Sequence, residues 1–260
     1  MAHRPHVALI VETSVTYGRR ILRGISNYLR AHRQWSVFLE QRELGAAPPK
    51  WLLNWRGDGI ICRPTTPRLA AAFRVSRVPV VDLNDAHGYL GLPHIGSDMR
   101  AIGRMGAEHL LERGFRSFAF CGFAGQRWSA LRRDGFVQTV QRAGCACASY
   151  DSKWPGLHAP EWDKDQSQTA AWIATLPKPL ALMGCNDLRG QHVLDACRRI
   201  DLAVPEEVAV IGVDDEQLLC ELADPPLSTV VPASEQIGYE AAELLDRLMS
   251  GRRQRARQRT

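Results

Sequence analysis

His6-Val7-Ala8-Leu9-Ile10-Val11 is followed by five loop-like residues and then by Tyr17-Gly18-Arg19-Arg20-Ile21-Leu22-Arg23-Gly24-Ile25-Ser26-Asn27-Tyr28-Leu29. The first run is apolar without alternation, the pattern of a strand buried on both faces. The second sets Ile21, Leu22, Ile25, Tyr28 and Leu29 on one stripe, which reads as an amphipathic helix from Tyr17 to His32. A buried strand feeding a helix is how a parallel α/β sheet begins.

The same alternation continues outward. Trp35 to Glu40, Asp58 to Cys62, Val78 to Leu83 and His94 to Ser97 read as strands, with a helix from Pro67 to Arg74. Asp98 can cap a helix that runs to Arg113 and stops at Gly114. Then the scheme restarts. Ser117 to Gly122, Leu180 to Gly184 and Val208 to Val213 read as strands. Ser129 to Ala143, Gln166 to Thr175 and Asp187 to Ile200 read as helices. Thr229 to Val231 is a brief extended piece before a helix from Ser234 to Met249. Tyr150 to Asp165, rich in Trp, Pro and polar residues, reads as a loop. The fold expected is α/β: two doubly wound parallel-sheet lobes with a cleft at the C-terminal strand ends, where open sheets bind ligands. The first lobe is expected over 5–114 plus 232–250 and the second over 115–231. Residues 251–260 read as a basic tail or linker, with no strand.

The chain has 260 residues, 45% hydrophobic and 23% charged, as a globular protein has. No apolar run approaches the ~20 residues needed to span a bilayer, and no signal-peptide core precedes His6. The expectation is a cytoplasmic protein without membrane contact. The net charge of +5 includes five arginines in the last ten residues, Arg252, Arg253, Arg255, Arg257 and Arg259, so the remainder is formally neutral. A neutral body gives little drive for phosphate binding. Seven cysteines without a C-x-x-C pair fit a reducing compartment and no metal site. Cys62, Cys121 and Cys185 sit in or beside apolar runs, as small hydrophobes do.

The loop after the first strand holds one glycine, Gly18, where a dinucleotide site needs G-x-G-x-x-G. No Walker A loop, G-x-S-x-G or H-E-x-x-H occurs. These absences point away from the common enzymes, and no catalytic residue, metal or cofactor is expected. What stands at the strand ends is a mixture of carboxylates, an amide, guanidiniums and rings. It comprises the loop around Tyr17, Gln126 to Phe136 with Trp128 and Arg132, Met183 to Leu188 with Asn186 and Asp187, and Val210 to Glu216 with Asp214. A neutral polyol needs such a set, because its hydroxyls both donate and accept while a ring covers its C–H face. Each residue has a plainer alternative. Asp187 can cap a helix, Asp214 serve a turn, Arg132 pair with a surface acid, Trp128 pack in the core, and Tyr17 act as a helix-start aromatic.

Taken in order, these segments resemble the ligand-binding core of LacI/GalR-type transcription regulators. They resemble most closely the sensor half of xylose operon regulators, in which this core is joined to a C-terminal AraC-type DNA-binding domain. The matching stretches are Tyr17 to Leu29, Asp58 to Ile61, Arg127 to Phe136, Asn186-Asp187, Ile211 to Glu216, Asp224 to Thr229 and Ile237 to Ala242. The resemblance covers the chain to about Gly251. It implies a type I periplasmic-binding-protein-like fold, with Ser234 to Met249 returning to the first lobe. It also implies effector contacts from Arg132, Asp214, Asn186, Asp187 and Trp128, with D-xylose or a similar pentose as effector. A homodimer is expected, with DNA reached only through a domain absent from these 260 residues. Asp214 is expected to be the costliest residue to remove for binding while leaving the fold intact. A transport-type solute-binding protein is the alternative.

The neutral body generates a prediction. Residues 1–260 should show no operator preference in a gel shift at physiological salt, and any binding should ignore sequence and weaken steeply with salt. A preferred operator would contradict it.

Overall fold

A computed structural model describes residues 4–32, 34–76, 78–153, 161–251 and 258–259. The chain divides into two compact units, one of residues 1–97 with 233–260 and the other of residues 98–232.

In the first unit the elements are β1 (His6–Ile10), α1 (Thr16–Ala31), β2 (Ser36–Leu39), β3 (Gly59–Cys62), α2 (Pro67–Val75), β4 (Val80–Asp82) and β5 (His94–Ile95). In the second they are α3 (Met99–Glu112), β6 (Ser117–Phe123), α4 (Arg127–Arg142), β7 (Cys147–Ser152), α5 (Trp162–Ala174), β8 (Leu180–Gly184), α6 (Asp187–Arg198), β9 (Val208–Val213), α7 (Gln217–Leu222) and β10 (Ser228–Val230). The chain then returns to the first unit with α8 (Ser234–Met249) and β11 (Gln258–Arg259). A 3-10 turn spans Lys50–Asn54.

Each unit has one parallel sheet. The orders are β2-β1-β3-β4-β5-β11 and β7-β6-β8-β9-β10. In both, the first strand leads through a helix to the edge on one side, and the next strand lies on its other side. That reversal makes β1/β3 and β6/β8 the switch points where a crevice opens at the strand C-termini. The apolar strands do what a two-faced run predicts. Val7, Leu9 and Val11 join one core with α1 and α8, while Ala8 and Ile10 join another with Leu69 and Phe73 of α2. In β8, Ala181 and Met183 face one core and Leu180 and Leu182 the other. Cys62, Cys121 and Cys185 are buried in these cores.

Paired glycines set the closest helix contacts. A Cβ at Gly103 of α3 would lie 1.9 Å from the Arg132 carbonyl oxygen, and one at Gly135 of α4 would lie 2.0 Å from that of Arg100. The two backbones therefore touch, which fixes the turn of α4 that carries Arg132. Gly24 of α1 and Gly238 of α8 meet in the same way.

Several expectations change. Asp98 does cap α3, accepting from Ala101 N at 2.9 Å, but the helix packs on α4 within the second unit, so the first division falls at 97/98 instead of 114/115. The stretch read as a loop from Tyr150 contains the end of β7, and α5 begins at Trp162; residues 154–160 of that reading lie outside the described residues. β7 was hidden because it is an edge strand of Cys, Ala, Ser, Tyr and Asp, only half-buried and without an apolar run. The tail was read without a strand, yet Gln258 and Arg259 pair with His94 and Ile95 of β5. The other tail arginines, Arg252, Arg253, Arg255 and Arg257, lie outside the described residues. No helix among the described residues is long and apolar enough to cross a membrane.

The loop after β9 is held by one buried carboxylate. Asp187, 1% exposed, accepts from Thr229 Oγ1 at 2.6 Å and from Glu216 N at 2.7 Å. Gly212 makes room for it, since a Cβ there would stand 2.3 Å from Asp187 Oδ1. Burial pushes the Asp187 carboxyl up from 3.8 to about 6, the Thr229 and Glu216 hydrogen bonds opposing the shift. The folded state therefore holds this proton where the unfolded chain has lost it. Stability from this group is greatest below pH 4 and declines as pH rises from about 4 to 6, by about 3 kcal/mol in all. Denaturant unfolding of the protein and of Asp187→Asn between pH 4 and 7.5 should show this slope in the protein and its loss in the variant. Parallel curves would contradict it.

Candidate functional site

In the second unit the residues meet at the β6/β8 switch point. α4 starts four residues after β6 and carries Trp128 in its first turn and Arg132 in its second. Arg132 is 2% exposed. Its guanidinium donates to the Cys185 carbonyl at the end of β8 at 2.6 Å and to Asp214 Oδ1 and Oδ2 at 2.8 and 3.4 Å. The half-buried Trp128 ring covers the guanidinium at 5.2 Å, and its indole N–H donates to Gln126 Oε1. The result is a cation at strand ends with a carboxylate and a ring both in contact with it.

Asp214 and Asp215 have φ of 103° and 54°. Side chains rarely adopt such angles, at a cost of ~1–3 kcal/mol each, and they persist only where the surroundings over-determine them. Three backbone amides in a row are tied down here. Asp214 N donates to Val230 O at 3.0 Å, Asp215 N to Thr229 Oγ1 at 3.3 Å, and Glu216 N to Asp187. The strain aims the Asp214 carboxylate at Arg132.

The other two second-unit residues are placed behind this pair. Asn186 is the N-cap of α6, its side chain accepting from Arg189 N at 2.9 Å. Asp187 is the loop clamp already described. Asp214 is not the loosely held carboxylate whose loss leaves the fold intact. Arg132 is buried against it, so removal would strand a desolvated guanidinium, and breaking such pairs costs up to about 3–5 kcal/mol.

Tyr17 belongs to the first unit. It is buried, its hydroxyl lies 2.9 Å from Ser97 Oγ, and the Arg63 guanidinium sits 4.9 Å from its ring centroid. Sequence reading missed what surrounds it at the β1/β3 switch point. Arg63, the residue after β3, donates to Glu12 and, at 2.6 Å, to Asp85. Burial works against the Arg63 charge, but the Asp85 and Glu12 carboxylates outweigh it and raise the guanidinium above its ordinary range. Next to it, Asp82 accepts from the Asn84 amides and lies 3.1 Å from His94 Nδ1. Glu12, Arg63, Asp82, Asn84 and Asp85 stand at or just past the end of an apolar strand, and that position was the available signal. Also missed was Arg189, fully buried in the first turn of α6. It donates to Asp165 at 2.6 Å, Thr169 at 2.9 Å and Cys121 Sγ at 3.2 Å. Burial first, and Arg189 second, lower the neighbouring His192 to about 4, so it is neutral at pH 7. Among the described residues, no group of three His, Cys, Asp or Glu is placed to hold a metal ion.

Residues 6–98 match the XylR N-terminal domain and residues 107–260 the periplasmic binding protein-like domain. The xylose operon regulatory protein of Haemophilus influenzae is 30% identical over 255 residues, which is 95% of this chain and 65% of that protein. That of Escherichia coli K12 is 32% identical over 95% of this chain and 64% of its own length. The chain thus spans just under two thirds of these relatives. The solved structure of a xylose-binding transcription activator, XylR, superposes with a TM-score of 0.86 at 28% identity, covering 100% of this chain and 67% of that one. With the fold, these matches show that the chain belongs to the periplasmic binding protein-like domain family and is homologous to the xylose operon and LacI-type regulators.

Proposed function

We propose that this chain is the effector-binding part of a sugar-responsive transcription regulator, and that it takes D-xylose or a similar pentose. The observation that carries the reading is the Arg132–Asp214 pair under Trp128 at the β6/β8 strand ends. The pair is balanced in charge, so it suits an uncharged ligand. Asp214 can accept from hydroxyls, Arg132 can donate to them, and the indole offers a face for C–H groups. Asn186 and Asp187 belong to the site as the residues that hold its framework. Tyr17, with Arg63, Glu12 and Asp85, gives the first unit a comparable polar set. Binding shifts the population between regulator states through differential affinity, with no turnover of the sugar. DNA is reached through a domain outside these 260 residues, in the cytoplasm and as a homodimer. The relatives named above are regulators, which favours this reading over a transporter's solute-binding protein.

A thermal-shift panel of D-xylose, L-arabinose, D-ribose and D-glucose tests it. The responding pentose at ~100 times its Kd should add ~2.7 kcal/mol of stability. By calorimetry, Asp214→Ala should weaken that sugar at least tenfold, a loss of ~1.4 kcal/mol or more, and should also lower the stability of the sugar-free protein. Asp215→Ala should bind normally. Loss of binding in Asp215→Ala alone would put the wrong aspartate at the site, and a panel without response would sink the pentose. Intrinsic fluorescence should respond to the sugar, and the response should change in Trp128→Phe. An unchanged response would return Trp128 to core packing.

A further inference from the structure

Arg189 is fully buried in the first turn of α6, an unfavourable place twice over. Burial takes water from its charge, and the positive end of the helix dipole lies beside it. Each of its nitrogens nevertheless has one partner: Nη1 donates to Asp165, Nη2 to Thr169 and Nε to Cys121 Sγ. Asp165 is pinned in turn by the Ser152 hydroxyl at the end of β7. A buried pair of this kind often gives no more stability than apolar residues of the same volume. What these bonds do fix is the plane of a guanidinium, and that plane covers the Phe123 ring at 5.6 Å. Cys121 and Phe123 are two residues apart on β6, so the alternation of a strand puts both on the face where Arg189 lies.

Phe123 is the last residue of β6 and only half-buried. Its backbone pairs with Ser152 and donates to Ser129 Oγ at 3.1 Å. Its ring meets the Trp128 indole in a T-shaped contact, 6.5 Å between centroids and 68° between planes. Residues 124–127 between the two rings are exposed. An unbroken series therefore runs from Asp165 through Arg189, Phe123 and Trp128 to Arg132 and Asp214. It begins and ends on a carboxylate, with two rings between two guanidiniums.

We propose that Arg189, held by Asp165, is a positioning residue for the effector site: through Phe123 it sets the indole of Trp128 that is offered to the sugar. The sugar in this statement rests on the proposed function, and the placing of the ring does not. A lysine at position 189 would keep a charge for Asp165 but has no planar group to lay on Phe123.

Fluorescence and calorimetry test it with Arg189→Lys, Phe123→Leu and Phe123→Tyr, each made also with Trp128→Phe. Trp128 emission is read without sugar, as the difference between each protein and its Trp128→Phe counterpart. It should shift in Arg189→Lys and Phe123→Leu and stay unchanged in Phe123→Tyr. D-xylose should bind about fivefold more weakly to the two shifted variants, the scale of one aromatic contact, and normally to Phe123→Tyr. In the Trp128→Phe background the same changes should cost no further affinity, because their effect passes through the indole. An equal loss in both backgrounds, or emission that does not move, would overturn the proposal and leave Arg189 a structural residue. If Arg189→Lys does not fold, Asp165→Leu/Arg189→Met takes its place, since it leaves neither charge of the pair buried alone. If no sugar binds, the proposed function fails, while the sugar-free emission still decides the positioning.

Discussion

The carboxylate of Asp187 is the constraint on which the candidate site depends. Both of its oxygens are taken, one by Thr229 at the start of the return strand and one by the backbone of Glu216. Immediately before the Glu216 anchor the chain passes through two aspartates in left-handed conformations. Without the clamp an ordinary turn would be preferred by a few kcal/mol, and Asp214 would leave Arg132. The clamp in turn requires Gly212, because any side chain there would occupy the Asp187 oxygen. A glycine inside a strand, a buried acid at a helix start and a strained aspartate are thus one device. All three cost stability locally, and what they secure is the direction of a single carboxylate.

The two units solve the same problem with different residues. In each, a parallel sheet with one reversal of strand order opens at its C-terminal edge, and a guanidinium fills the opening. In the second unit Arg132 is balanced by one carboxylate and roofed by an indole. In the first, Arg63 is held by two carboxylates and lies on a phenol ring. The surplus acid makes the first unit the better acceptor of hydroxyl protons, while the balanced pair in the second both donates and accepts. Paired glycines at the α1–α8 and α3–α4 crossings recur in both units, so the helix carrying Tyr17 and the helix carrying Arg132 are each fixed by backbone contact and not by a flexible side chain.

What the sequence made legible follows from where burial is strongest. β1, β3, β6, β8 and β9 are apolar on both faces, and each was read with bounds close to those observed. β7 was not, because an edge strand needs only partial burial and its polar residues carry no pattern. α3 was read correctly as a helix and assigned to the wrong neighbour, since periodicity reports a buried face but not what covers it. Trp128, Arg132 and Asp214 were singled out as strand-end residues and do stand together. Their plainer alternatives were also partly right, as Asp214 is a turn residue and Arg132 does pair with an acid. Asn186 caps the helix that Asp187 was suspected of capping. Arg63, Glu12 and Asp85 went unread because three charges separated by 73 residues of chain look like surface charge until the sheet brings them together.

The account stands or falls on where the effector sits. The most direct measurement is a crystal structure of the chain with D-xylose at saturating concentration. The expected density is a single sugar ring with hydroxyl oxygens within about 3.2 Å of the Asp214 carboxylate and the Arg132 guanidinium, stacked on Trp128. Density for the sugar away from these three residues, with the Arg132–Asp214 pair unaltered, would contradict the account.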